Sequence, residues 1–127
     1  MEHSSAETCP FCNPDREVIV ENEEAIAVYD GFPVSEGHAL VIPRQHVATI
    51  FNLTDQEYAA CFALLRQVTE ILKERHSTPD FNIGVNCGEV AGQTVNHAHI
   101  HVIPRYQGDV DDPRGGVRHI IPGKGYY

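Results

Sequence analysis

A chain of 127 residues is long enough for one domain with one modest core and too short for two independent ones. Its 42% hydrophobic content is that of an ordinary globular protein, and no apolar run approaches the roughly 20 residues that would cross a bilayer, so a membrane is not an expected partner. The net charge of −9 argues against a protein that grips a polynucleotide backbone, and an anionic small molecule would need a local pocket of backbone amides and a few cations.

Residues 1–8 are polar and expected to be disordered, and they lack the basic and apolar stretches of a signal peptide, which predicts a cytoplasmic setting. Cys9-Pro10-Phe11-Cys12 follows. That spacing suits two thiolates converging on one tetrahedral metal, with a redox pair as the other reading. Val18 to Glu21 and Ala25 to Asp30 read as two strands joined around Asn22-Glu23-Glu24. A breaker-rich loop, 31–37, leads into a third strand, His38 to Pro43. A short helix is expected near Val47–Phe51.

The best-specified element is a long helix from Thr54 to about Arg75. Thr54-Asp55-Gln56-Glu57 is a capping box, and Tyr58, Cys61, Phe62, Leu65, Val68 and Leu72 follow at helical spacing, so Cys61 is expected to be packing. Lys73 and Arg75 suit the C-terminal dipole, and Pro79 forbids continuation. Phe81 to Asn86 predicts a fourth strand, a glycine-containing turn spans 87–94, and His97 to Pro104 predicts a fifth strand. Residues 106–127 read as an irregular tail. Hairpins with one long helix predict a single α+β domain over residues 1–127, with a five-stranded, mainly antiparallel sheet.

The chemistry lies in the fifth strand. Alternation sends Ala98, Ile100 and Val102 to one face, and His97, His99 and His101 to the other, about 6.6 Å apart. Two chemical readings fit this array. Two of the histidines and a third partner hold a catalytic metal, or one neutral imidazole is a nucleophile supported by its neighbours. The nucleophile reading requires the His99 ring to lie exposed beside a phosphate-sized hollow. Spacing alone does not choose between them.

The chain resembles the histidine triad (HIT) family. His97-Ala98-His99-Ile100-His101-Val102-Ile103 fits the pattern His-apolar-His-apolar-His-apolar-apolar at every position, and the similarity extends through Gly37-His38-Ala39-Leu40-Val41-Ile42-Pro43-Arg44-Gln45-His46 and Ala91-Gly92-Gln93-Thr94-Val95. The resemblance implies a five-stranded antiparallel sheet with one long and one short helix, a homodimer, and hydrolysis or transfer at the α-phosphate of a nucleotide through a covalent nucleotidyl-histidine. It makes His99 the nucleophile and His101 the residue that hydrogen-bonds the phosphate or leaving-group oxygen. It places Asn86, Gln93 and Thr94 at the phosphate and Asp30 at the ribose hydroxyls, with strand residues such as Val28 as weaker candidates for the base pocket. In the zinc-bearing branch of the family, Cys9, Cys12, His46 and His97 would form a closed structural zinc site. Asn96 departs from the aromatic or proline frequent at its position. A dinucleoside polyphosphate such as diadenosine tetraphosphate is the expected substrate. A purine nucleoside phosphoramidase, or a nucleotide-binding signalling protein with incidental hydrolysis, are the alternatives. Arg114, Arg118, Lys124 and the terminal tyrosines are expected to reach a partner's site.

Overall fold

The computed structural model describes residues 8–127. The expectation of disorder at the N-terminus therefore lies outside the described residues, except for Thr8, which is exposed in a turn. Strands β1 (Val18–Glu21), β2 (Ala25–Tyr29), β3 (Ala39–Pro43), β4 (Asp80–Gly84) and β5 (Ile100–Arg105) form one antiparallel sheet in the order β1-β2-β3-β5-β4, with helix α1 (Asp55–His76) between β3 and β4. This is the expected α+β architecture with one main helix. The short helix expected near Val47–Phe51 is a single 3₁₀ turn at Ile50–Asn52, capped by Thr49.

The alternation along the strands builds two cores. Ala25, Ala27, Ala39, Val41, Ile100 and Val102 face Cys61, Leu64, Val68 and Leu72 of α1, all at 0–1% exposure. Val28, Leu40 and Ile42 face the opposite way and pack on Cys9 and Phe11. The N-terminal knuckle thus covers the sheet face that the helix leaves free, which is the face carrying the triad histidines.

The capping box of α1 forms as expected: Glu57 N–H donates to Thr54 Oγ1 at 3.1 Å, and Thr54 N–H to Glu57 Oε1 at 2.8 Å. The buried stripe differs by a few positions. Leu64 is fully buried, Leu65 only partly, and Phe62 is 45% exposed and stacked on Tyr58 at the edge of the helix. Phe62 lies about 100° round from Cys61, which takes it off the buried line.

Two strand boundaries are corrected. The fourth strand is Asp80–Gly84, and the fifth starts at Ile100, so His97 and His99 precede the ladder. In that lead-in, Ala98 N–H donates to Val47 O at 2.8 Å instead of joining the sheet, while the alternation of side chains continues: Ala98 is 2% exposed on the core side. The tail is more ordered than its composition suggests. It contains a 3₁₀ turn at Gly116–Ile120, His119 packs edge-on to Tyr126 at 4.5 Å, and Arg118 lies over the Tyr127 ring at 4.6 Å. No helix among the described residues is long and apolar enough to cross a membrane.

Candidate active site

The last residue before the β2–β3 loop and the first after it face each other: Asp30 N–H donates to His38 O at 2.9 Å, extending the ladder by one step. Both are even-numbered like Val28 and Leu40, so alternation turns their side chains to the knuckle face. His101, paired with Leu40 across β3 and β5, comes up beside them. His38 Nε2 then lies 3.0 Å from His101 Nδ1 and 3.3 Å from Asp30 Oδ2. The other nitrogen of His38, Nδ1, accepts from Val34 N–H at 3.1 Å. An imidazole nitrogen that accepts carries no proton, so the His38 proton is on Nε2, and that nitrogen donates to the Asp30–His101 pair.

His99 is held by the backbone of its own strand. Its Nδ1 lies 2.8 Å from His97 O and donates to it, so Nε2 holds a bare lone pair and has no hydrogen-bond partner among the described residues. The ring is 7% exposed, a correction to the exposed ring the sequence reading requires. Its reachable edge belongs to a cavity of about 430 Å³ lined by Asp30, His38, Asn86, Gly92, Thr94, His99 and His101 on the polar side, and by Pro10, Phe11, Phe32, Val34, Leu40 and Val95 on the apolar side. Phe11 meets the His99 ring edge-on with centroids 4.8 Å apart, and His101 does so at 5.0 Å. Burial lowers the pKa of His38, His99 and His101 below the ordinary 6.5, against the raising effect of Asp30, so all three rings are neutral at neutral pH.

The glycine-containing turn closes one wall of this cavity. Gly88 and Gly92 take φ of +100° and +94°, values that a side chain disfavours. Gln93 is 2% exposed and spends its amide on the turn itself: Oε1 accepts from Gly88 N–H at 2.8 Å, and Nε2 donates to Ala48 O and Val95 O at 2.6 and 2.9 Å. Its side chain does not line the cavity, whereas Asn86 and Thr94 do. Val28 lies beneath, in the core under Phe11. A wider hollow of about 630 Å³ lies under the tail beside Arg105, Tyr106 and Tyr126, and holds none of the residues expected at the phosphate, the ribose or the metal.

The remaining triad member faces another group. Cys9, Cys12, His46 and His97 bring one donor atom each within 4.8 Å of one another. Cys9 Sγ lies 3.4 Å from His97 Nδ1, Cys12 Sγ 3.1 Å from His46 Nδ1, and the two Nδ1 atoms are 3.2 Å apart. A tetrahedral ion bound through sulfur at about 2.3 Å and nitrogen at about 2.0–2.1 Å separates its donors by about 3.3–3.8 Å, so the residues fit one metal ion. His97 is fully buried and its Nε2 donates to Pro43 O at 2.7 Å, which leaves Nδ1 bare toward the cluster. Burial and the neighbouring Cys9 push the Cys12 thiol up to about 11.

The sequence reading gives no role to His38, Phe11 or Arg16, all of which line the cavity. The position of Phe11 between two cysteines that fold onto the triad face is the feature that would have flagged it. Arg44 and Arg105 stand apart from the cavity, paired with Glu21 and Asp109.

These features define a HIT protein, and the wider comparison agrees: the HIT domain model matches residues 13–108, and the chain belongs to the HIT family. The matched stretch contains His46 and all three triad histidines and begins just after Cys12. An uncharacterized HIT-like protein of Mycoplasma genitalium is 41% identical, with 84% of this chain and 79% of that protein covered. A bis(5'-nucleosyl)-tetraphosphatase (asymmetrical) of Schizosaccharomyces pombe is 39% identical over 63% of this chain and 44% of its own length. Among solved structures, a Zn-bound histidine triad family protein from Mycobacterium smegmatis superimposes with a TM-score of 0.75 at 31% identity, covering 83% of this chain and 80% of that one.

Proposed function

We propose that this protein is a nucleotide hydrolase that attacks an α-phosphate through a covalent nucleotidyl intermediate on His99, with a dinucleoside polyphosphate such as diadenosine tetraphosphate as substrate. The observation that carries the reading is the bare Nε2 of a neutral His99 in the wall of a cavity, with its other nitrogen committed to His97 O. The Nε2 lone pair forms the N–P bond while the P–O bond to the polyphosphate leaving group breaks. The ring becomes a cation as it does so, and the His97 carbonyl stabilises the Nδ1–H. His38 donates to His101 Nδ1, which keeps the His101 proton on Nε2, where it hydrogen-bonds the departing oxygen and stabilises its charge as the polyphosphate leaves as an anion. Water then attacks the phosphorus, the N–P bond breaks with its electrons returning to Nε2, and the proton lost by the water passes to solvent as the monophosphate is released. Asn86, Thr94 and the turn amides hold phosphate oxygens, and Asp30 takes the ribose hydroxyls. Gln93, assigned to the phosphate by resemblance, serves in this reading by shaping the turn.

The same reading gives Cys9, Cys12, His46 and His97 a structural zinc, which ties the knuckle to the sheet with no position left for water. The similarity to a Zn-bound relative supports that choice of ion. A cytoplasmic homodimer completes the reading. Turnover of diadenosine tetraphosphate, diadenosine triphosphate and adenosine phosphoramidate, with metal analysis on the same sample, is the test. Fast release of mononucleotides from the first is expected, whereas turnover far below 1 per second on all three would leave a nucleotide-binding protein instead.

A further inference from the structure

Arg16 stands in the cavity wall, and the mechanism above gives it nothing to do. It lies between the knuckle and β1, and its guanidinium carbon sits 5.8 Å from the centre of the Phe11 ring. The far side of the guanidinium abuts Gly31, where a Cβ would come within 3.0 Å of Nη2. Arg44, Arg75, Arg105 and Arg114 each pair with a carboxylate. Arg16 pairs with none among the described residues, and its Nη1 is buried without a hydrogen-bond partner. A buried donor on a charged group is costly to leave unmet, and the side chain that carries it lines a space large enough for a ligand, so a small shift of the guanidinium would bring that donor to one.

The position of Arg16 indicates which part of a ligand it meets. Its two contacts, Phe11 and Gly31, belong to the knuckle and the β2–β3 loop, whereas Asn86, Gly92 and Thr94 come from the segment between β4 and β5. Phe11 sits against Arg16, and the cavity wall they share also includes Pro10, Phe32 and Val34, apolar surfaces that suit a flat ring more than a phosphate. A guanidinium offers donors only. The O6/N7 edge of a 6-oxopurine presents two acceptors to it, while adenine presents one acceptor and one opposing donor.

We propose that Arg16 contacts the nucleobase and biases the site toward guanine or hypoxanthine at the attacked end of the substrate. This rests on reading the cavity as a nucleotide site, and within the dinucleoside polyphosphate class it ranks a guanine-ended substrate ahead of diadenosine tetraphosphate. The test is calorimetric titration of the full, metal-loaded chain with GMP, AMP and ribose 5-phosphate, in the wild type, Arg16→Met and Gly31→Ala, with thermal melting to confirm folding. GMP is expected to bind about tenfold more tightly than AMP, within the range a two-bond arginine contact gives. Arg16→Met removes that preference and leaves ribose 5-phosphate unchanged, and Gly31→Ala, which displaces the guanidinium, reduces it. Equal or reversed affinity for GMP and AMP in the wild type overturns the proposal. So does an Arg16→Met variant that loses ribose 5-phosphate as much as GMP, since the guanidinium would then serve the phosphate. If the wild type binds none of the three, the nucleotide-site reading itself fails.

Discussion

Two clusters on the knuckle face each gather donors enough for a metal ion, yet their histidines are set up for opposite chemistry. Cys9, Cys12, His46 and His97 form one, and Asp30, His38 and His101 the other, each with its donor atoms within 4.8 Å of one another. The difference lies in what the backbone does to the far nitrogen of one histidine. Pro43 O accepts from His97 Nε2 and leaves a bare Nδ1 facing the first cluster. Val34 N–H donates to His38 Nδ1 and leaves a protonated Nε2 facing the second. A carbonyl behind the ring makes a ligand, and an amide behind it makes a proton donor. His99 follows the same rule, with a carbonyl behind Nδ1 and a bare Nε2, but no thiolate lies beside it, so its lone pair is available to a substrate.

The largest effect is expected at the proposed nucleophile. His99→Ala is expected to lower kcat/KM at least about 10³-fold while metal content and nucleotide binding stay near wild type, as steady-state kinetics with metal analysis would show. Cys12→Ala comes next. It should take bound zinc from one per chain to none and destabilise the fold by more than about 4 kcal/mol in urea titration, whereas Asp30→Asn should leave the zinc in place. Loss of zinc in the Asp30 variant would erase the distinction between the clusters. His38→Leu is a smaller perturbation. It removes the donor that orients the His101 proton and should lower kcat about 10- to 100-fold with little change in KM and none in metal content.

Acid sharpens the contrast with the smallest effect. Burial holds His38, His99 and His101 below 6.5 in the fold, so the unfolded chain binds more protons there and stability falls as pH drops below 6.5. From pH 7.5 to pH 5.5 the loss should be about 1 kcal/mol or more by urea denaturation. The kcat/KM profile should stay level near neutrality and decline only below pH 6.5, as the nucleophile takes up a proton.

Much of this was legible in the residues because it depends on period. Alternation through Ala98, Ile100 and Val102 placed the histidines on one face, and the Thr54–Glu57 box located the start of α1. The four candidate metal ligands were named on resemblance to the zinc-bearing branch, and the fold brings them together from three separate segments. What stayed hidden depends on single hydrogen bonds between distant segments. Nothing at position 34 announces that its N–H sets the tautomer of His38, and nothing in a glutamine reveals that both ends of its amide hold the turn. Arg16 was equally mute, since its place beside Phe11 and Gly31 comes from how the knuckle lies on the sheet. The 3₁₀ turn in the tail escaped because Gly and Pro there read as irregular chain.

The central step of the proposed reaction is the bond from His99 Nε2 to phosphorus. Rapid alkaline quench during turnover of diadenosine tetraphosphate, followed by mass spectrometry of the intact chain and of its peptides, tests this directly. An added nucleoside monophosphate carried on His99 alone is the predicted result. An adduct on His97 or His101, or hydrolysis with no adduct at any quench time, would contradict it.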